Sequence, residues 1–429
     1  MKFHNYSNLD ESSLKKLLER PKIDFREIFD RIQPILDEVE QQGDAAVQRY
    51  NQKFDGLQPD PLVRAPNFNE DQLDDDVREA IDTAYDNIYQ FHEAQHPKPL
   101  KVETMPGVEC TQEVRPIERV GLYVPGGTAV LPSTALMLGV PARLAGCQQI
   151  VLATPPGKKA NISPVIEYIA HKLEIDLILQ AGGAQAIAAM AFGTETVPKV
   201  DKIFGPGNQY VTAAKMYLQN SDAQVSMDLP AGPSEVLVIA DQSAEPSFVA
   251  SDLLAQAEHG EDSQVVLVHT EEFKLEELKT ELNKQLESLP RSQAASGSIE
   301  NSFALEVETL EQAFDFSNRY APEHLIIQCE NPKSHIPLVD NAGSVFLGPW
   351  SPESAGDYAS GTNHTLPTYG YARMYSGVNL LSFMKQITFQ HLTRDGLENL
   401  GSTVMTLAEV EELEAHKRSI SIRLNKDQT

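Results

Sequence analysis

The sequence has few cysteines, few basic residues for its acidic content, and no long apolar run. Cys110, Cys147 and Cys329 are the only cysteines in 429 residues. Three thiols so far apart supply neither a disulfide framework nor a thiolate metal site. Each reads as a small buried hydrophobe. No stretch approaches the ~18 consecutive apolar residues of a membrane span. The opening MKFHNYSNLDESS lacks the apolar core of a secretion signal. Against 62 Asp and Glu stand only 35 Lys and Arg, a formal net charge of −27. A surface of that sign repels nucleic acid and anionic membrane, which excludes both as partners. The acid collects in segments such as NEDQLDDDVREA (69–80), which read as solvated helix faces. The expected class is a cytoplasmic enzyme.

With 41% hydrophobic residues, the chain can bury more than one core. From Phe25 to about His96, apolar residues recur at helical spacing, as in Ile28, Ile32, Leu36 and Val39, and again in Ile81, Ala84, Ile88 and Phe91. From Arg119 onward, short apolar runs alternate with amphipathic helices. Strands are expected at 120–124, 150–153, 177–180 and 203–204, and a second set at 234–240, 264–269, 303–307, 325–328 and 343–347. This repeated alternation predicts an α/β fold with two Rossmann-like βα units of parallel sheet, plus small helical appendages at both termini. Ligand crevices are expected at the strand ends. The tail from about Asn379 is expected to be helical, with a break near Ser402. The last segment, 404–425, has too few apolar positions for a core of its own.

Three glycine turns follow strands: Gly126-Gly127, Gly182-Gly183 and Gly205-Pro206-Gly207. Each can bring backbone N–H groups toward a phosphate, although most such turns are only turns. Gln256 and His259 lie at i and i+3 of one helix, ahead of a terminating Gly260. Imidazole with an amide oxygen suits zinc, while a histidine near a helix C-terminus also suits the dipole. Glu323-His324 stand after Pro322 at an element boundary, where both could line one crevice as bases or simply start an element. Asp357 and His364 lie in a segment rich in Gly, Ser, Thr and Asn, a composition more often functional than structural. Glu411 and His416 sit in a charged tail where a lone histidine is usually solvated.

Several segments together resemble the histidinol dehydrogenase family. They are GLYVPGGTA (121–129), GGAQAIAAMAFGT (182–194), KIFGPGNQYV (202–211), DLPAGPSEVLVIAD (228–241), AQAEHGEDSQ (255–264), RYAPEHLII (319–327), GSVFLGPWSPESAGDYASGTNHTLPT (343–368) and the closing AHK (415–417). The resemblance runs from about Phe25 to Lys417. It implies oxidation of L-histidinol to L-histidine through histidinal, with two NAD+ and one zinc ion per site. It implies zinc ligation by Gln256, His259, Asp357 and His416, and a catalytic pair of Glu323 and His324. Tyr123, Gln185 and Asn208 match the NAD+ contacts. Ser234, Gln256, His259, His324, Asp357, His364, Glu411 and His416 match substrate contacts. Glu411 and His416 would reach across a homodimer interface.

The implied organisation places 20–119 with 234–378 in a zinc- and substrate-binding unit, and 120–233 in an NAD+-binding unit. Residues 1–19 and 379–403 would form a small helical dimerisation region, and 404–429 would extend to the partner. The loop 157–162 (GKKANI) is expected to be a longer surface connection. Two other readings of the same residues stay open: a zinc hydrolase with Glu323 activating water, and a non-catalytic NAD+-binding relative.

Overall fold

The computed structural model describes residues 1–20, 25–126, 131–157, 161–230 and 232–424. Gly127 of the first glycine turn and 158–160 of the expected loop lie outside these residues. Two six-stranded sheets organise the chain. In the first, the strands run in the order Val63–Arg64, Leu177–Leu179, Gln149–Ala153, Arg119–Tyr123, Lys202–Phe204 and Ser226–Met227. All neighbours pair in parallel except the short Val63–Arg64 edge. In the second, the order is Lys2–Asn5, Phe303–Val307, Gln264–Thr270, Glu235–Ala240, His324–Gln328 and Ser344–Leu347, parallel throughout.

The strands are continuous apolar runs because helices cover both faces of each sheet. In Glu235–Ala240, Val236 and Val238 enter one layer with the helices Pro246–Ala257 and Leu275–Ser288. Leu237 and Ile239, one residue out of phase, enter the opposite layer with Leu310–Tyr320. A slip of one residue would exchange the two sets, so burial on both faces holds the register. Each sheet also has a point where successive strands are laid down to opposite sides of a central strand. These points lie between Arg119–Tyr123 and Lys202–Phe204 in the first sheet, and between Glu235–Ala240 and His324–Gln328 in the second.

Four expectations need correction. The segment expected to be helical from Asn379 contains the strand Met384–Leu392, paired antiparallel with Val108–Pro116 in a three-stranded sheet completed by Leu100–Met105. Only its centre, Gln386-Ile387-Thr388-Phe389-Gln390, alternates polar and apolar residues with the period of a strand. No break occurs at Ser402, since one helix spans Arg394–Val410 and ends at Glu411. Residues 2–5 form the edge strand of the second sheet and not part of a helical appendage. The helix Phe25–Phe54 packs into the first sheet's core through Ile28, Ile32, Leu36 and Val39, and Asp75–Glu93 packs on its other face through Ile81, Ala84 and Ile88. The helical part of 20–119 therefore joins the unit it was expected to stand apart from. An amphipathic stripe announces that a helix is buried but not against which sheet. Among the described residues, no helix is long and apolar enough to cross a membrane.

Candidate active site

The carboxyl ends of the first sheet's strands open into a cavity of about 1030 Å3, lined among others by Tyr123, Gly126, Gly182, Gly183, Gln185 and Asn208. All three residues expected to contact NAD+ therefore meet in one place, beside the three glycine turns. Gly183 adopts φ +63°, a conformation that suits glycine. Its N–H donates to the Tyr123 hydroxyl at 3.1 Å. The helix Gly183–Phe192 starts there without a side-chain cap, and its first residues, Gly183, Ala184 and Gln185, line the cavity, as at a helix N-terminus that accepts an anion. Gln185 is buried and gives its amide N–H2 to Asn51 at 3.2 Å, while its Oε1 has no partner among the described residues. A buried acceptor without a donor is costly, and a ligand N–H or hydroxyl would satisfy it. A dinucleotide fits this cavity in size and in chemistry.

The second constellation gathers at the opposite end of its strands. Ser234, Glu235 and His324 stand at the amino ends of two adjacent parallel strands, not at the carboxyl ends where a crevice was expected. The connecting helix Pro246–Ala257 runs back antiparallel to the strands, so its C-terminus delivers Gln256 and His259 to that same amino edge. Asp357 comes from a short helix, Glu353–Tyr358, following the edge strand Ser344–Leu347.

Glu323 and His324 share one buried peptide partner. The Glu235 N–H donates to Glu323 Oε2 at 2.8 Å, and the Glu235 carbonyl lies 3.2 Å from His324 Nδ1. The other imidazole nitrogen, Nε2, is 3.4 Å from Asp357 Oδ1. Burial pushes the Glu323 carboxyl up to about 8. Burial alone would lower His324, but the carboxylates of Glu353, Glu323 and Asp357 outweigh it and raise the imidazole to about 10. Burial also opposes ionisation of Asp357, yet the adjacent His324 imidazole, 3.4 Å away, holds it below the usual carboxylate range. His364 spans the two units, with Nδ1 2.9 Å from the Asp357 carbonyl and Nε2 3.3 Å from the Thr134 hydroxyl of the first sheet's helix.

Among the described residues, His259, Glu353 and Asp357 bring one ligand atom each to within 4.8 Å of one another. The buried Gln256 amide lies between the Glu353 carboxylate and the Glu235 N–H. With its nitrogen toward Glu353 it donates to that carboxylate. With its oxygen there, two oxygens face one another as they would around a cation. Imidazole, carboxylate and amide oxygen are donors that zinc accepts, so the residues present fit the ion. The remaining expected ligand is not brought there by this chain. The helix Glu414–Ser421 packs on Arg394–Val410, and both Glu411 and His416 are exposed.

A family model described as histidinol dehydrogenase matches residues 18–424. The chloroplastic histidinol dehydrogenase of Arabidopsis thaliana is 56% identical over 426 residues, which cover 99% of this chain and 91% of that protein. Histidinol dehydrogenase of Vibrio parahaemolyticus is 50% identical over 98% of each chain. The chain belongs to the histidinol dehydrogenase family. As a member of that family it is an oxidoreductase of histidine biosynthesis. The crystal structure of histidinol dehydrogenase from Elizabethkingia anophelis superposes with a TM-score of 0.94 at 47% identity, covering 100% of this chain and 99% of that one. An acetylating aldehyde dehydrogenase from Geobacillus thermoglucosidasius shares the fold alone, with a TM-score of 0.51 at 12% identity.

Within the histidinol dehydrogenase motifs, Glu353 is the residue that reasoning from sequence missed. It is buried to 1% exposure, and burial raises its carboxyl well above the usual range. One signal was present: Glu353 precedes Asp357 by four residues, so one short helix presents both carboxylates on the same face.

Proposed function

We propose that this chain oxidises L-histidinol to L-histidine through L-histidinal, in two hydride transfers to NAD+ with zinc at the Gln256, His259 and Asp357 site. The observation that carries this reading is the shared setting of Glu323 and His324, two buried bases on the backbone of one residue, Glu235, beside converging candidate metal ligands. NAD+ supplies the hydride acceptor and would occupy the cavity lined by Tyr123, Gln185 and Asn208. Zinc, which has no redox chemistry, would be held by these residues and would supply a Lewis acid for the substrate's nitrogen donors, offsetting the carboxylate charge around His324.

In the first oxidation His324 takes the alcohol proton while hydride leaves the same carbon. The carboxylates around His324 raise its imidazole, so it could act as a base only once that negative charge is offset. In the second, water adds to the aldehyde and gives its proton to Glu323, so that the hydrated carbon again has a hydride to lose. Burial that raises the Glu323 carboxyl to about 8 in the metal-free chain makes it, once ionised, a stronger base than a solvated carboxylate. Ser234 and His364 would hold the substrate from the two sides of the site. Glu411 and His416 of the partner subunit would complete it, which explains why both are exposed on the single chain.

The test is the absorbance of NADH on mixing the zinc-loaded protein with NAD+ and histidinol. Two NADH per histidinol consumed is the expected result. No NADH with zinc intact would overturn the reading in favour of a hydrolase or a non-catalytic relative.

A further inference from the structure

Behind the glycine turn at 205–207 lies the most deeply buried ion pair among the described residues. The side chains of Lys215 and Asp228 are each 1% exposed, and Lys215 Nζ donates to Asp228 Oδ1 at 2.6 Å. Both also grip one peptide residue, Gly205. Its N–H donates to Asp228 Oδ2 at 2.7 Å, and its carbonyl accepts from Lys215 Nζ at 2.8 Å. Gly205 has φ +123°, and a Cβ there would stand 2.1 Å from the Tyr123 carbonyl oxygen. The turn is thus pressed against the strand end that carries Tyr123 and clamped from behind. Three residues later, Asn208 lines the cavity and caps the helix Gln209–Gln219 by accepting from the Tyr210 and Val211 N–H groups.

A buried ion pair is a poor device for stability, because apolar residues of equal volume often do as well or better. Its distinctive property here is geometric: two opposite charges fix both polar groups of a single residue, Gly205. We infer that Lys215 and Asp228 are positioning residues for the dinucleotide, holding the Gly205–Asn208 turn at the height the cofactor requires. This inference rests on the reading of the 1030 Å3 cavity as the NAD+ site. Neither side chain reaches the cavity, so their effect passes through the turn.

The experiment compares Lys215→Met and Asp228→Asn with wild type in the steady-state assay, varying NAD+ and histidinol separately. The double variant Lys215→Met with Asp228→Asn leaves no unpaired buried charge and keeps the inference testable if either single variant fails to fold. Expected is a rise of roughly tenfold or more in KM for NAD+, as small displacements of positioning groups produce, with KM for histidinol and kcat at saturating NAD+ unchanged. Ile81→Ala, in the helix Asp75–Glu93, none of whose residues lines the cavity, serves with Ile169→Ala as a control for lost stability. An unchanged KM for NAD+ in Asp228→Asn, or an equal rise in either control, overturns the inference. Gln185→Ala separates this failure from that of the underlying reading. If it raises KM for NAD+ while the clamp variants do not, only the clamp is wrong. If it too has no effect, the cavity is not the NAD+ site and both fall.

Discussion

Replacing Arg20 by methionine removes the partner of a buried acid beside Glu323 and His324, the proposed catalytic pair. Arg20 donates to Glu235 through Nε at 2.8 Å and Nη2 at 3.0 Å, and their side chains are 7% and 1% exposed. It also donates to the Tyr320 and Leu18 carbonyls and lies over the Tyr320 ring, 3.2 Å from its centre. Leaving one member of such a pair buried and alone costs about 3–5 kcal/mol. Removing both members, as in Arg20→Met with Glu235→Met, eliminates the unpaired charge. The double variant should recover most of that loss and trail wild type by about 1–2 kcal/mol for the abandoned backbone carbonyls. Urea unfolding of wild type, both single variants and the double variant at one protein concentration measures the cycle. Because the Glu235 peptide holds both Glu323 and His324, Arg20→Met should also lower kcat for histidinol oxidation. An Arg20→Met variant within about 1 kcal/mol of wild type, or a double variant no more stable than the single one, would refute the reasoning.

Burial raises Asp252 to about 6, above the roughly 3.9 of an unfolded aspartate. Between those values the folded state holds the extra proton, so the stability is present at low pH and lost as pH rises through about 6. Asp252→Asn should therefore be more stable than wild type at pH 8 by about 2–3 kcal/mol and nearly equal to it at pH 4, as read by thermal melts. Glu353→Gln should weaken zinc binding about 10–100-fold in chelator competition; unchanged affinity would remove Glu353 from the site. Glu323→Gln should slow histidinal oxidation about 100-fold or more, and a variant that oxidises histidinal at the wild-type rate would end its role in activating water. Inactive His416→Asn and Glu323→Gln proteins, mixed under conditions of subunit exchange, should regain about a quarter of wild-type activity, because each mixed dimer has one site with both native residues. No recovery would count against a shared site.

Much of the fold was legible because buried parallel strands are hard to mistake. Runs such as VLVIA at 236–240 can only be covered on both faces. What escaped was relational. The strand Met384–Leu392 lies in a sheet that leaves Ile387 and Phe389 exposed, so its alternation did not stand out against the helices beyond it. The side of the second sheet that bears the site could not be read either. A helix C-terminus returns to the amino edge of its strands only once the βα unit has closed, and this is what carries Gln256 and His259 to Glu323 and His324. Glu353 looked like one more acid in a chain with 62 of them. Only the fold reveals that it is buried against Gln256.

The charges at this amino edge support a cation more strongly than any single ligand does. Four carboxylates are concentrated there: Glu235, Glu323, Glu353 and Asp357. Arg20 matches Glu235, and His324 matches Asp357. Glu323 shares that same His324, 3.7 Å from its Nδ1, Glu353 has no ion pair among the described residues, and burial drives both carboxyls toward holding a proton. A divalent ion among His259, Asp357 and Glu353 would supply the two missing positive charges, allowing Glu323 to ionise near neutral pH and His324 to release its proton. The same ion would thus hold the substrate and set both bases in their working protonation states. Its removal should abolish turnover even though it takes no part in moving hydride.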